Sequence, residues 1–322
     1  MELTPQDIAG TDAAYWATLN RIKLQKGVWS FDDRPYLVEP MQARLMDAPR
    51  RRCFMKATQG GFTEQQVCET LWGLRYGYYK RGVLYLFPTT DDVREFSKAR
   101  FGPLIKANPL AIGQFVQDTD TAALKRVGDA FLYLRGGTLS THLEVDARES
   151  TKLRGISVDK VVYDELDLMD PDVMTKAQGR MGDSDVREEV YISNPTLPDF
   201  GIAAVFARSD QRHWFRRCGC GEWTCAELEF PNLIGKDEAG KGYIACKKCG
   251  KAVGISPGEW VAQEPSKSDY MWGYRWSQLS SAQNDPAEIL EQYENPPNDN
   301  RADIVRLRLG LPFVSAEDKL TT

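Results

Sequence analysis

The stretch Lys56-Ala-Thr-Gln-Gly-Gly-Phe-Thr63 constrains this chain more than any other. An apolar segment, Arg52-Cys-Phe-Met-Lys56, leads into it, and a segment with a helical pattern, Glu64 to Lys80, leads out. A strand, a glycine-bearing turn and a helix N-terminus make an anion cradle. Backbone N–H groups and the helix dipole both favour negative charge there. The common phosphate loop has glycine first and sixth, lysine seventh and Ser/Thr eighth. Here Gly61 is sixth and Thr63 eighth, but Phe62 is seventh and the lysine stands first, at Lys56. A lysine at the base of the loop reaches the β/γ-phosphates from the other side. The expected nucleotide-binding run is therefore Lys56, Ala57, Thr58, Gln59, Gly60, Gly61, Phe62 and Thr63. An ordinary strand-turn-helix has the same outline, so the loop alone does not decide the matter.

The deciding segment comes about a hundred residues later. Lys160-Val-Val-Tyr-Asp164-Glu165 is a β-branched apolar run that ends in two carboxylates. A buried parallel strand has this composition, and open α/β sheets bind ligands at the carboxyl ends of their strands. Asp164 is placed to hold Mg²⁺ through water, with Thr63 as its partner from the loop. Glu165 is placed to polarise the attacking water. Loop and acid pair, in this order, point to a nucleotide hydrolase that uses ATP and Mg²⁺.

The joint pattern resembles a known family. Lys-x-x-x-x-Gly-aromatic-Thr, then Leu153-Arg-Gly155 before Val-Val-Tyr-Asp-Glu, then Ser193-Asn-Pro-Thr196, is similar to the large terminase subunit of tailed bacteriophages. The displaced lysine and the late cysteine cluster resemble its lambda-like branch. The resemblance implies an α/β fold of the P-loop ASCE, RecA-like (helicase-like) type. A mostly parallel central sheet would be flanked by helices and carry an inserted zinc ribbon. It implies an ATPase motor that moves double-stranded DNA into a procapsid in the host cytoplasm. The implied partners are double-stranded DNA, the portal protein, the small terminase subunit and further copies of the chain in a ring. By the same resemblance Gln42 reads the adenine edge, and Ser193, Asn194 and Thr196 sense the γ-phosphate and couple hydrolysis to movement. Arg154 would complete the catalytic site of a neighbouring subunit, a role worth roughly 10³–10⁵ in rate. Arg148 and Arg180 are its rivals.

Seven cysteines are unevenly spread, and five fall between 218 and 249. Such clustering outside a secreted chain indicates metal before disulfide. Cys218-Gly-Cys220 and Cys246-Lys-Lys-Cys249-Gly250 supply two turns whose sulfurs can converge on a tetrahedron. Cys218, Cys220, Cys246 and Cys249 are the expected ligands of a structural Zn²⁺, with Cys225 able to replace Cys218 or Cys220. A closed four-thiolate site staples a segment too small to fold on a core of its own.

Composition sets outer limits. A net charge of −5 argues against a passive DNA coat, because non-specific affinity comes mainly from phosphate neutralisation. It leaves room for a motor with local basic patches. No apolar run approaches the roughly 18 residues of a membrane span, so no membrane association is expected. The N-terminus lacks a basic region followed by an apolar run, so no secretory signal is expected.

Along the chain, the pattern predicts a helix over 5–24, a second over 36–47 and a strand at Val83–Phe87. Thr89 is the expected N-cap of the next helix. Two strands joined by Gly136-Gly137 are expected as a hairpin over 130–145. A short helix over 171–180, a strand over 188–193 and a buried aromatic strand at 270–276 follow. Residues 285–308 read as helix broken near 295, with a basic face of Arg301, Arg306 and Arg308. The expected division is a leading helical segment at 1–50, an ATPase core at 51–210, a zinc ribbon at 211–265 and a completing segment at 266–322. After residue 280 the acids lie outside any strand-rich segment, so a two-metal nuclease domain is expected to be absent. Two other classes fit less of the pattern. A helicase or remodelling ATPase needs a second RecA-like domain. A zinc-stapled adaptor without hydrolysis would suit Phe62 but not the Asp164–Glu165 pair.

Overall fold

A computed structural model describes residues 3–137, 153 and 155–314. The chain forms two compact units interleaved in sequence. One comprises Met1–Trp29, Met41–Arg51 and Thr63–Ile192; the other comprises Ser30–Pro40, Arg52–Phe62 and Ser193–Thr322. Both are mixed α/β: the buried central strands of the first pair parallel, and the second combines parallel with antiparallel pairs.

In the first unit, Val83–Phe87 lies between Lys160–Asp164 and Ala130–Gly136, parallel to both, and Glu188–Ser193 runs parallel to Lys160–Asp164. Val83–Phe87 and Lys160–Asp164 are buried at every position. That pattern belongs to parallel strands covered on both faces, and it explains the apolar stretches Val83–Phe87 and 161–163. Ala130–Gly136 instead alternates in its burial and pairs antiparallel with Leu124–Val127, which pairs antiparallel with Val116–Asp120. The hairpin is thus made with the upstream segment, through Gly128 and Asp129. Gly128 has φ +60, a value that favours glycine and suits a two-residue turn. The strand expected over 138–145 lies outside the described residues.

The expected N-terminal helix is two helices, Pro5–Thr11 and Ala13–Leu19. Asp12 separates them with extended backbone, and its Oδ1 accepts from the N–H groups of Ala14 and Tyr15. A capping carboxylate here outweighs continuous helical periodicity. A small hairpin, Lys23–Leu24 with Gly27–Val28, takes the remaining length. The second helix is also shorter than predicted, a 3₁₀ turn Pro35–Leu37 and one α-turn Val38–Met41. Thr89 caps Thr90–Phe96 reciprocally with Asp92, as its sequence predicts.

In the second unit, Trp272–Trp276 lies parallel to Arg51–Lys56 and to the start of Arg212–Arg217. Gly258–Ala262 and Trp223–Thr224 pair antiparallel with Arg212–Arg217. Trp272–Trp276 is buried throughout, so the aromatic run is core. Phe54 stacks on Tyr274 at 5.1 Å, and Trp260 meets Tyr274 edge-on at 5.0 Å. The predicted C-terminal break falls after Pro286–Glu294. The predicted basic face is not present. Arg306 donates to the carbonyls of Thr196 and Phe313, Arg308 pairs with Glu288 at 3.1 Å, and Arg301 lies over the Tyr293 ring. Long cationic side chains at this density cover apolar surface and cap carbonyls instead of presenting charge. No helix of the described residues is long and apolar enough to cross a membrane.

Candidate functional site

The loop grows from the end of Arg51–Lys56 and closes on the helix Phe62–Arg75. Gln59 and Gly61 have φ of 64 and 86, so the chain turns through left-handed backbone. Gly61 meets that demand without a Cβ penalty. Gly60 is required for a different reason. A Cβ there would lie 2.8 Å from the Trp276 ring. The Ala57 N–H donates to the Trp276 carbonyl at 2.9 Å, and the Thr58 N–H and hydroxyl both donate to the Leu307 carbonyl. The N–H groups of Gln59, Gly60 and Gly61 donate to no backbone carbonyl among the described residues. Of the predicted run, these three amides stand ready for an anion, while those of Ala57 and Thr58 hold the loop in place.

Phe62 occupies the seventh position because that position points into core. It is 1% exposed and packs against Tyr36, Phe54 and Trp276 at ring separations of 5.8, 5.2 and 5.9 Å. A lysine there would leave its ammonium among rings, at a prohibitive desolvation cost. Lys56 is buried at the base of the loop. Its Nζ donates to Asn194 Oδ1 at 3.2 Å, and Asn194 Nδ2 donates back to the Lys56 carbonyl at 2.9 Å. The predicted phosphate lysine and the predicted coupling asparagine are therefore joined through both ends of one amide. Ser193 donates to the Asn194 carbonyl, and the Thr196 carbonyl accepts from Arg306 Nε and the Phe313 N–H.

In the first unit, Thr63 and Asp164 are brought together. The Thr63 hydroxyl donates to Asp164 Oδ1 at 3.1 Å, and the Tyr85 hydroxyl donates to Oδ2 at 2.8 Å. Both carboxylate oxygens are thus oriented before any cation arrives. Burial and the Asp164 charge hold the Tyr85 phenol far above its ordinary range, so it stays a donor. Glu165 follows with φ 61 and ψ 51, at the mouth of the strand. A left-handed non-glycine residue at a strand end is a strained position of the kind that clusters at functional sites. A hydroxyl beside a carboxylate is a hard oxygen pair of the kind Mg²⁺ takes, and those atoms fit the ion. Gln42 donates to Asp12 Oδ2 at 2.7 Å, which ties it to the N-terminal helices. Arg180 donates to the Lys176 carbonyl, and its own carbonyl accepts from Val158. Arg154 and Arg148 lie outside the described residues.

Cys218, Cys220, Cys246 and Cys249 converge, their sulfurs all within 4.8 Å of one another. Cys218–Cys249 and Cys220–Cys246 are separated by 3.6 and 3.7 Å. A Zn–S bond of about 2.3 Å places the corners of a tetrahedron about 3.8 Å apart, so four thiolates here fit Zn²⁺. A disulfide would need about 2.05 Å. The turns that present the sulfurs are built alike. Gly221 and Gly250 have φ of 88 and 70, and their N–H groups donate to the carbonyls of Cys218 and Cys246. The backbone N–H of Cys249, with that of Lys248, draws the Cys246 thiol down to about 6, toward the thiolate a metal requires. Cys225 stands apart; its thiol is buried and donates to Glu227 Oε2 at 3.5 Å, which removes it as a substitute ligand.

Tyr85, Tyr36 and Arg34 escaped the sequence reading. Tyr85 sits on a strand predicted correctly, but only the register Leu84↔Val161 and Tyr85↔Val162 brings its side of the sheet to Asp164. Tyr36 donates to the Gly60 carbonyl at 3.1 Å from a segment read as helix. The Arg34-Pro35 pair, an arginine fixed by the proline after it, was the available signal.

A family model for the ATPase domain of phage terminase large subunit gpA matches residues 24–263. Among solved structures, the large terminase ATPase domain of Thermus phage P74-26 is similar over 83% of this chain and 89% of its own. The sequence identity is 14% and the TM-score 0.47. A point mutant of that domain is similar over 82% and 90%, at 13% identity and a TM-score of 0.48. No curated protein matches.

Proposed function

This chain belongs to the family of phage terminase large subunits of the gpA type, through its ATPase domain, and from that premise we propose that it is an ATP-hydrolysing motor that drives double-stranded DNA into a procapsid. The observation that carries the reading is the Thr63–Asp164 hydrogen bond, a loop hydroxyl held against the strand-end carboxylate. In this reading Mg²⁺, when bound, neutralises charge that develops on the β- and γ-phosphates. Thr63 and Asp164 hold it. The Gln59–Gly61 amides and Lys56 receive the phosphates, and Gln42 reads the adenine edge. Glu165 orients the attacking water. Asn194, bonded at both ends to Lys56, passes the state of the loop to Ser193 and Thr196. Arg154 acts on a neighbouring subunit, which requires a ring. Zn²⁺ on the four cysteines is structural. The partners are double-stranded DNA, the portal protein and the small terminase subunit, in the host cytoplasm.

The test is steady-state hydrolysis of ATP with Mg²⁺ at rising protein concentration. The native chain should show a rate that climbs faster than concentration. Lys56→Ala and Glu165→Gln should each fall by about a thousandfold, the scale of one lost electrostatic contact in the transition state. Equal rates in all three proteins would refute the assignment.

A further inference from the structure

The seventh position of the phosphate loop carries no charge, because Phe62 is committed to the core. A second cation lies on the glycine side of the loop. The stem of Arg34 runs along Gly61, where a built Cβ would lie 3.4 Å from Arg34 Cδ and 3.6 Å from Nε. Arg34 is half-buried, and no carboxylate among the described residues is paired with it. The turn that presents it is rigid. Pro35 opens the 3₁₀ turn Pro35–Leu37, Trp260 Nε1 donates to the Tyr36 carbonyl at 2.8 Å, and Tyr36 donates to the Gly60 carbonyl at 3.1 Å. Burial pushes the Tyr36 phenol far up, and the neighbouring Arg34 charge opposes that. An arginine that pairs with no carboxylate among the described residues thus stands beside Gly61, the last of the three loop residues whose N–H groups meet no backbone carbonyl.

We propose that Arg34 is a phosphate-binding residue of this loop, supplying from the same chain the positive charge that Phe62 excludes from the seventh position. A guanidinium suits the place better than an ammonium. Its planar fork can offer several N–H groups to phosphate oxygens at once. The proposal rests on the reading of residues 56–63 as a nucleotide site.

The experiment measures binding of a fluorescent ADP analogue to the full chain with Mg²⁺, with inorganic tripolyphosphate as competitor. The proteins are native, Arg34→Gln and Arg34→Lys. Arg34→Gln keeps a polar side chain and removes the charge. It should weaken both the ADP analogue and tripolyphosphate about tenfold, the effect of one charged hydrogen bond. Arg34→Lys should recover part of the loss. Unchanged affinity in Arg34→Gln overturns the proposal. So does a loss confined to the ADP analogue, since the guanidinium would then contact the base. If Arg34→Lys binds no better than Arg34→Gln, packing carries the effect and the proposal falls. Failure of the native chain to bind either probe is a different result, because it overturns the nucleotide reading itself.

Discussion

The loop over 57–61 and the cysteine tip belong to the same unit and are held by opposite means. The loop rests on Phe54, Phe62, Tyr36, Tyr274 and Trp276, and its first two amides are engaged with Trp276 and Leu307. Burying one such ring contributes roughly 1.5–3 kcal/mol. The tip has little beneath it. Its buried cluster is Cys218, Cys246 and Val253, while Cys220 and Cys249 are exposed. A loop seated on core is organised before its ligand arrives. A segment without a core takes its order from the metal, whose binding energy is then folding energy.

Removing the metal breaks the comparison most forcefully. Structural Zn²⁺ contributes about 10–16 kcal/mol in small metallo-domains. A strong chelator should release about one zinc per chain, and the amides of Cys218, Gly221, Cys246 and Gly250 should lose their protection against hydrogen exchange. Ala57 and Thr58 should keep theirs, as read by mass spectrometry. Equal loss at both places would show that the loop too depends on the metal.

The loop should fail by a different route. Phe62→Lys restores the common seventh residue and should destabilise the protein by about 3–5 kcal/mol, because a ring is lost from the core and an ammonium is buried. A lowered urea midpoint with metal content unchanged is the expected result. A midpoint equal to the native one would mean that the aromatic seat does not hold the loop.

Acid should sharpen the contrast at the strand that leads into the tip. Burial, aided by the Arg275 charge, lowers His213 from 6.5 to about 4. The folded state therefore holds fewer protons than the unfolded chain between these values. Stability that is full above pH 6.5 should decline as pH falls toward 4, by up to about 3 kcal/mol. Denaturant midpoints across that window should show the slope, and His213→Gln should flatten it. The smallest effect belongs to Cys225. Cys225→Ser should leave zinc content intact and cost about 1 kcal/mol, the scale of one weak buried hydrogen bond. Zinc loss in Cys225→Ser would return that thiol to the ligand set.

Much of this was legible in the chain. Val83–Phe87 and Lys160–Asp164 announce themselves as strands through the apolar runs Val83–Phe87 and 161–163, the second closed by the acids. Cys218-Gly-Cys220 and Cys246-Lys-Lys-Cys249 announce a four-thiol cluster because each half is a local turn. Other features misled. Helical periodicity over 5–24 hides Asp12, whose carboxylate prefers to cap Ala14 and Tyr15. Gly136-Gly137 resembles a hairpin turn, yet Gly128-Asp129 makes one, since either pair satisfies the local rule and only strand pairing selects between them. Arg306 and Arg308 look like a basic face, but their partners, Thr196, Phe313 and Glu288, lie on other segments.

The sequence by itself determined the order strand, loop, helix, the acids at a strand end, and the two local turns that each carry a pair of cysteines. Those depend on neighbours a few bonds away, whose preferences act in any context. The tertiary structure alone decided that Phe62 is core, that Asn194 is bonded to Lys56, and that Tyr85 aims Asp164. It also decided that Arg34 lies along Gly61. In each of these a side chain meets a partner far off in sequence, and the meeting is set by packing, which no local preference encodes.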